Sequence, residues 1–225
     1  MCGRVRLPED ISEIKQDLKI EWDKLGDYQP HWNVPPTADL PVVTYAPGGR
    51  TLEKMRWGLI PAWAKDLKIG VSTFNARSDS IDTKPAFRQS WKMGRRCLVV
   101  TDGYYEWRKT DKQPFAMALG NRGPMILAGL WDTWKGPEGV TIKSVAVITT
   151  EASERLAQVH DRMPVLLDPD QWAAWLGELN STSEELKAML KPYPAERMAF
   201  WPVDKRVGNV RNDQRDLADP IALLV

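Results

Sequence analysis

The sequence predicts an α+β fold in a single domain spanning residues 1–225, with a mainly antiparallel, barrel-like β core and peripheral helices. A chain of 225 residues is an ordinary length for one domain with a substantial core. Short segments rich in β-branched and aromatic residues, bounded by Gly, Pro or Asp, follow one another through most of the chain. These segments do not alternate regularly with helical ones, which disfavours a doubly wound parallel sheet.

The individual elements follow from local patterns. The predicted strands cover residues 40–46, 51–58, 96–107, 114–119, 124–131, 142–150 and 163–168, joined by turns such as APGGR, NRGP and KGPEG. An amphipathic helix is predicted over residues 8–22, because Ile11, Ile14 and Leu18 lie at helical spacing and Pro8 suits a first turn. Further helices are predicted over residues 85–91, after Thr150, over 168–176 with Asp168 or Asp170 as cap, and over 182–190 with a Ser or Thr cap.

The composition is that of a soluble globular protein. A formal net charge of +1 gives no overall basicity, so any anion-binding surface has to be local. Charges and a proline interrupt the first ten residues, and no apolar run approaches the roughly 20 residues of a membrane helix. We therefore expect a cytoplasmic protein with no membrane contact.

The two cysteines, Cys2 and Cys97, cannot form a disulfide framework. Cys97 lies in the apolar run RCLVV, and we expect it to be a core residue. The possible soft metal ligands, which are these cysteines with His31 and His160, are scattered singly, and no Walker loop, GxGxxG, HExxH or CxxC motif is present. We predict neither a metal site nor a cofactor.

Four polar clusters stand in otherwise apolar or turn-rich surroundings: HWNVPPT with Asn33, STFNARSD with Asn75 and Arg77, TDGYYEW with Glu106, and QVHDRMPVLL with His160 and Arg162. Each cluster also has an ordinary structural explanation. Asn33 suits a turn, Glu106 suits a solvated strand edge, and His160 suits a helix end.

Together with the N-terminal MCGR, these clusters form a recognisable set. MCGR, WNVPPT, RWGLIPAW, FNARSD, DGYYEW, HDRMP and VGNVRN occur in this order from Cys2 to about Asn212. The set resembles that of the SOS response-associated peptidase (SRAP) family of abasic-site processing proteins. The resemblance implies that Met1 is removed and that Cys2 then forms a reversible thiazolidine crosslink with an abasic site in single-stranded DNA, shielding the lesion.

The chemistry of an N-terminal cysteine fits that role. An α-amine has a pKa of about 7.7–8.0, so part of it is neutral at cellular pH and can attack an aldehyde to give an imine. The thiol on the same residue, with an ordinary pKa of about 8.5, can then close a five-membered ring at high effective concentration.

The resemblance also assigns residues. Cys2, Asn75, Glu106 and His160 match the catalytic set; our hypothesis is that His160 assists opening of the deoxyribose, Glu106 handles protons at the amine and in reversal, and Asn75 orients the sugar or the cysteine. Expected DNA contacts are Arg4, Arg77 and Arg162 on phosphates, Asn33, and the aromatic side chains Trp63, Phe74 and Trp107 on bases. Ion pairs with Asp79 or Asp161 are the structural alternative for the arginines, and core packing is the alternative for Trp63 and Phe74.

The expected partner is single-stranded DNA with an abasic site, alone or beside duplex, bound by a monomer that associates with the nucleoid only through that DNA. Two other functions fit parts of the sequence. A cysteine peptidase or other N-terminal-nucleophile hydrolase would use Cys2 as thiolate and His160 as base, and an autopeptidase of this kind could remove Met1. A non-catalytic single-strand-binding module would leave the N-terminal cysteine unexplained.

Overall fold

The chain folds into two β-sheets and four short α-helices within residues 2–222, the part that the structure, a computed structural model, describes. The strands are β1 (Val5–Arg6), β2 (Ile20–Lys24), β3 (Asp39–Ala46), β4 (Gly49–Trp57), β5 (Asn75–Arg77), β6 (Arg96–Thr101), β7 (Gly103–Trp107), β8 (Pro114–Leu119), β9 (Met125–Lys135), β10 (Thr141–Glu151), β11 (Arg162–Pro164) and β12 (Met198–Pro202). The helices are α1 (Ser12–Asp17), α2 (Arg88–Lys92), α3 (Pro169–Leu176) and α4 (Ser183–Ala188).

Five strands of the larger sheet close into a barrel. The antiparallel order is β4-β3-β6-β9-β10, and β10 then pairs in parallel with β4, where Val145 lies opposite Trp57. Strands β5 and β11 add to the C-terminal half of β10, β5 in parallel and β11 antiparallel. The barrel-like, mainly antiparallel core that the sequence predicts is therefore confirmed.

The smaller sheet is antiparallel, in the order β1-β7-β8-β12. Alternate residues of the barrel strands pack into two apolar clusters, which divides the core. One cluster joins the barrel to the helices, and the other joins it to the smaller sheet and contains Cys2, Tyr104 and Phe115. Cys2 thus lies at the junction of the two sheets, and Cys97 is fully buried in the same cluster, as predicted.

The N-terminal helix is shorter than predicted. It covers only Ser12–Asp17, Lys19 takes a φ of 48°, and Ile20–Lys24 forms β2 against β4. The guanidinium of Arg50 donates to the carbonyl of Leu18 at 2.8 Å and so binds the end of the helix. Pairing with an available sheet edge outweighs the helical spacing here.

Other boundaries also differ from the prediction. The segment after Thr150 continues β10 to Glu151 and then contains only a short 3₁₀ turn, Leu156–Gln158, and β11 ends at Pro164. Strands β1, β5 and β12 were not predicted. By contrast, α3 is capped by Asp168 and α4 by Thr182, each in a capping box, as the sequence predicts. No helix within residues 2–222 has the length and apolar content to cross a bilayer.

Candidate functional site

Cys2 is fully buried at the start of the described chain. Its carbonyl oxygen accepts a 2.7 Å hydrogen bond from Nδ2 of Asn75. Burial, and secondly the negative charge of Glu106, raise the pKa of the Cys2 thiol far above its ordinary value. The thiol is therefore protonated at neutral pH, and its α-nitrogen lies in the same fixed segment.

Asn75 is held by β5, which lies parallel to β10 with Asn75 opposite Val147. The preceding carbonyl, of Phe74, accepts hydrogen bonds from the Val147 amide at 3.0 Å and from the indole of Trp57 at 2.9 Å. Oδ1 of Asn75 is buried, and no group within residues 2–222 donates to it. The side chain is thus fixed on Cys2 and offers one acceptor to a ligand.

Glu106 reaches the same place from the smaller sheet. Strand β7 pairs with β1, and two residues separate β1 from Cys2. Val5 of β1 lies opposite Tyr104 of β7. Glu106 is the next residue of β7 on the same face as Tyr104. Glu106 is 3% exposed. Burial raises the pKa of Glu106 to about 7, so this carboxyl can give and take a proton near neutral pH. The solvated strand edge is excluded as an explanation for this residue.

His160 follows the 3₁₀ turn that ends at Gln158, and its ring is partly buried. Nδ1 accepts a 3.0 Å hydrogen bond from the backbone amide of Arg162, and Oδ1 of Asp161 lies 3.0 Å from the same nitrogen. The pKa of His160 is below its ordinary value, and burial is the largest cause of this shift. The neutral ring is therefore the main form at neutral pH.

Two of the predicted phosphate ligands, Arg77 and Arg162, lie together on the strands that flank β10. Arg77 pairs with Asp79 at 2.5 Å, and Nη1 of Arg162 lies 3.9 Å from the same carboxylate. Arg162 is buried, and its Nη2 donates to the Thr149 carbonyl at 2.6 Å. The ion pairs expected as the structural alternative are present, and phosphate binding by these arginines stays a prediction.

Arg4 and Asn33 form a buried link to the C-terminal segment. Nη1 of Arg4 donates to Oδ1 of Asn33 and to the carbonyl of Val207, both at 2.7 Å. Nδ2 of Asn33 lies within hydrogen-bond distance of the carbonyls of Val207, Asn209 and Asn212. Both side chains are engaged in the fold, and their contact with DNA is untested.

The three predicted stacking residues differ in exposure. Trp63 is 57% exposed, whereas Phe74 packs edge-on against Trp57 with ring centroids 5.9 Å apart. Trp107 is half-buried, with the guanidinium of Arg4 lying 5.7 Å from its ring centroid. Trp63 is thus exposed, Phe74 is partly buried against the core, and stacking of either ring on a base stays a prediction.

Sequence reasoning missed three residues around the site. Tyr104 is buried near Cys2 and Glu106. Burial is the main cause that raises the pKa of its hydroxyl, and Cys2 and Glu106 raise it further. Thr149 binds Arg162, and Lys109 forms a 2.7 Å ion pair with Asp161. Only Tyr104 had a local signal, since it lies two residues before Glu106 on a strand. In the described part of the chain, no three His, Cys, Asp or Glu side chains form a group that could hold a metal ion.

Comparisons with known proteins identify the family of this chain. A family model described as SOS response associated peptidase (SRAP) matches residues 1–210. The abasic site processing protein YoaM of Bacillus subtilis is 36% identical over 97% of this chain and 98% of its own length. The abasic site processing protein HMCES of Gallus gallus is 33% identical over 99% of this chain and 79% of its own length.

Solved structures share the fold. A protein from Bacteroides thetaiotaomicron superposes with a TM-score of 0.86 at 22% identity, covering 98% of this chain and 100% of its own. A phage-related protein from Bordetella bronchiseptica superposes with a TM-score of 0.67 at 25% identity, covering 91% of this chain and 95% of its own. By the family model and the curated relatives, the chain belongs to the SOS response associated peptidase (SRAP) family.

Proposed function

We propose that this protein processes abasic sites in DNA by forming a covalent, reversible thiazolidine between Cys2 and the ring-opened abasic sugar. One observation carries the proposal: Asn75 and Glu106, which belong to two different sheets, both act on the buried Cys2. Asn75 donates a hydrogen bond to its carbonyl, and the charge of Glu106 acts on its thiol. The curated relatives bear the name abasic site processing protein. Met1 lies outside the described residues, and its removal is part of the proposal.

The reaction balances without a cofactor. The α-amine of Cys2 adds to the aldehyde carbon, and loss of one water gives an imine. The thiol then adds across the C=N bond: a C–S bond forms and the thiol proton passes to nitrogen. Ring closure removes the electron-poor imine, which would otherwise favour cleavage of the DNA strand by β-elimination. The reverse steps consume one water and restore the free amine and the aldehyde.

Glu106 is the proposed proton carrier for these steps. Because burial raises the pKa of the Cys2 thiol, sulfur needs a base when it attacks the imine carbon. Glu106 has a pKa of about 7. Its negative charge raises the pKa of the Cys2 thiol, which supports a position of the carboxyl close to the sulfur. It is therefore suited to take that proton and to return it in the reversal.

His160 and Asn75 act on the substrate in this proposal. His160 moves a proton during opening of the closed sugar, which takes a proton from the C1′ hydroxyl and places one on the ring oxygen. Asn75 holds Cys2 through its amide nitrogen and directs its Oδ1 acceptor toward the sugar. Arg77 and Arg162 bind phosphates beside the lesion in single-stranded DNA, and Trp63 stacks on a neighbouring base.

The cysteine-peptidase alternative requires a Cys2 thiolate. The thiol is fully buried and its pKa is raised, which is the opposite of the electropositive, accessible setting of catalytic thiolates. The same observation does not hinder imine chemistry, because the amine attacks first.

The test is incubation of protein shown by mass spectrometry to lack Met1 with single-stranded DNA that carries one abasic site. A heat-stable adduct on a denaturing gel, with the summed mass of protein and DNA less one water, is expected. Absence of the adduct contradicts the proposal.

Two variants separate ring formation from other thiol or amine chemistry. Cys2→Ala should give at most an imine that borohydride traps, and it should retain non-covalent DNA binding. A variant with one extra residue before Cys2 keeps the thiol but loses the adjacent amine, and it should form no stable adduct. A normal adduct from either variant contradicts the ring mechanism.

A further inference from the structure

The ring nitrogen Nδ1 of His160 has two neighbours that require opposite protonation states. The backbone amide of Arg162 lies 3.0 Å from Nδ1, and Oδ1 of Asp161 lies 3.0 Å from the same atom. An amide N–H needs a lone pair on Nδ1, whereas a carboxylate needs a proton on it. The two contacts therefore belong to alternative states of the ring.

Each state gives Nε2 a different role. When Nδ1 accepts from the Arg162 amide, Nε2 carries the proton of the neutral ring and can only donate a hydrogen bond. When Nδ1 carries a proton and donates a hydrogen bond to Asp161, Nε2 either holds a lone pair or carries the second proton of an imidazolium. In the first case Nε2 can take up a proton, and in the second case it can release one. Only the second state can transfer a proton.

The Asp161 carboxylate is anchored on its other side. Its Oδ2 pairs at 2.7 Å with Nζ of Lys109, from the β7–β8 connection that follows Glu106 and Trp107. Within the described residues, the charged side chains that act on the His160 ring are Asp161, which favours protonation, and Lys109, which disfavours it. Asp161 and Lys109 are 64% and 58% exposed, so their removal leaves the core intact and salt weakens their pairing.

We propose that Asp161, anchored by Lys109, is the positioning residue that selects the Nδ1-protonated ring of His160 and so makes its Nε2 competent for proton transfer. The Arg162 amide selects the opposite tautomer. The consequence for crosslinking rests on the proposed function, but the effect on the imidazole does not.

The chain has two histidines, His31 and His160, so ¹⁵N-detected NMR titration of the DNA-free protein resolves each ring. Asp161→Ala should move the His160 titration midpoint to lower pH and leave the neutral ring with its proton on Nε2. Lys109→Met should move the midpoint to higher pH. The His31 ring, paired with Asp213 in another part of the molecule, is the internal reference, and Asp82→Ala, which removes an ion-paired carboxylate elsewhere, is the control variant.

An unmoved His160 midpoint in Asp161→Ala overturns the proposal, whatever the crosslinking result. With a moved midpoint, crosslinking by Asp161→Ala should slow roughly 2- to 5-fold, the range expected for an exposed charge pair, and its pH profile should shift in the same direction. A moved midpoint with an unshifted pH profile also overturns the positioning role. Failure of the wild-type protein to crosslink, by contrast, contradicts the proposed function and leaves the NMR result standing.

Discussion

The side-chain amide of Asn75 donates a 2.7 Å hydrogen bond to the backbone carbonyl oxygen of Cys2. This bond joins a three-residue strand of the larger sheet to the N-terminal segment that carries the thiol and the α-nitrogen. Its donor comes from a residue whose backbone is already fixed against β10. Cys2, the proposed nucleophile, therefore has a defined position before any substrate binds.

Replacing that donor should slow crosslinking without unfolding the protein. Asn75→Ala and Asn75→Asp both lose the N–H donor, and we expect a rate loss of about 10- to 100-fold from misplacement of the nucleophile. Single-turnover gel assays measure the rate, and thermal melting provides the folding control. A wild-type rate in Asn75→Ala would show that the bond is dispensable.

Glu106 should make the protein's stability depend on pH. Burial raises its pKa from an ordinary 4.5 to about 7, so the folded state binds this proton more tightly than the unfolded state. The resulting stabilisation is complete below about pH 4.5 and is lost as the pH rises through about 7, a change of about 3 kcal/mol.

Glu106→Gln removes that titration. Relative to this variant, the wild-type free energy of unfolding should fall between pH 5 and pH 8, as measured by urea denaturation at both values. The variant should also lose most crosslinking activity. An identical pH dependence in the two proteins would mean that the carboxyl ionises equally well folded and unfolded.

Asp79 should weaken DNA binding. Its carboxylate pairs with Arg77 at 2.5 Å and lies 3.9 Å from Arg162, where a phosphate would compete for the same guanidinium groups. We expect Asp79→Asn to bind single-stranded DNA about 2- to 5-fold more tightly by fluorescence anisotropy.

The salt dependence checks the assignment of these arginines. Arg77→Gln should reduce the slope of log affinity against log salt by about 0.7, the value for one lost single-strand phosphate contact. A tighter complex without Asp79 but an unchanged slope in Arg77→Gln would place the phosphate elsewhere.

Asn33 should matter more for stability than for DNA affinity. Asn33→Ala removes one acceptor of the Arg4 guanidinium and the donor to the part-buried carbonyls of Asn209 and Asn212, and we expect a loss of about 2–4 kcal/mol in the free energy of unfolding. Chemical denaturation measures this loss. A variant with normal stability but weaker DNA binding would instead make Asn33 a direct DNA contact.

Much of the fold could be predicted from local patterns. Alternating apolar residues and Gly or Pro turns indicated most strands of the barrel, and the capping residues Asp168 and Thr182 marked two helix starts. Strands β1, β2, β5 and β12 could not be found in this way, because each exists through pairing with a distant strand. Pairing of this kind has no signal within the segment itself.

The sequence by itself determined the family resemblance and, through that resemblance, the hypothesis that Cys2 reacts through its thiol and α-amine with Asn75, Glu106 and His160 as its partners. Only the tertiary structure decided their states. Desolvation between two sheets raises the pKa values of Glu106 and the Cys2 thiol, and long-range contacts engage Arg4 and Asn33 within the fold. Residue types specify which groups can exchange a proton. Burial and hydrogen-bond partners decide the pH at which each group does so. Both arise only when distant segments of the chain pack together.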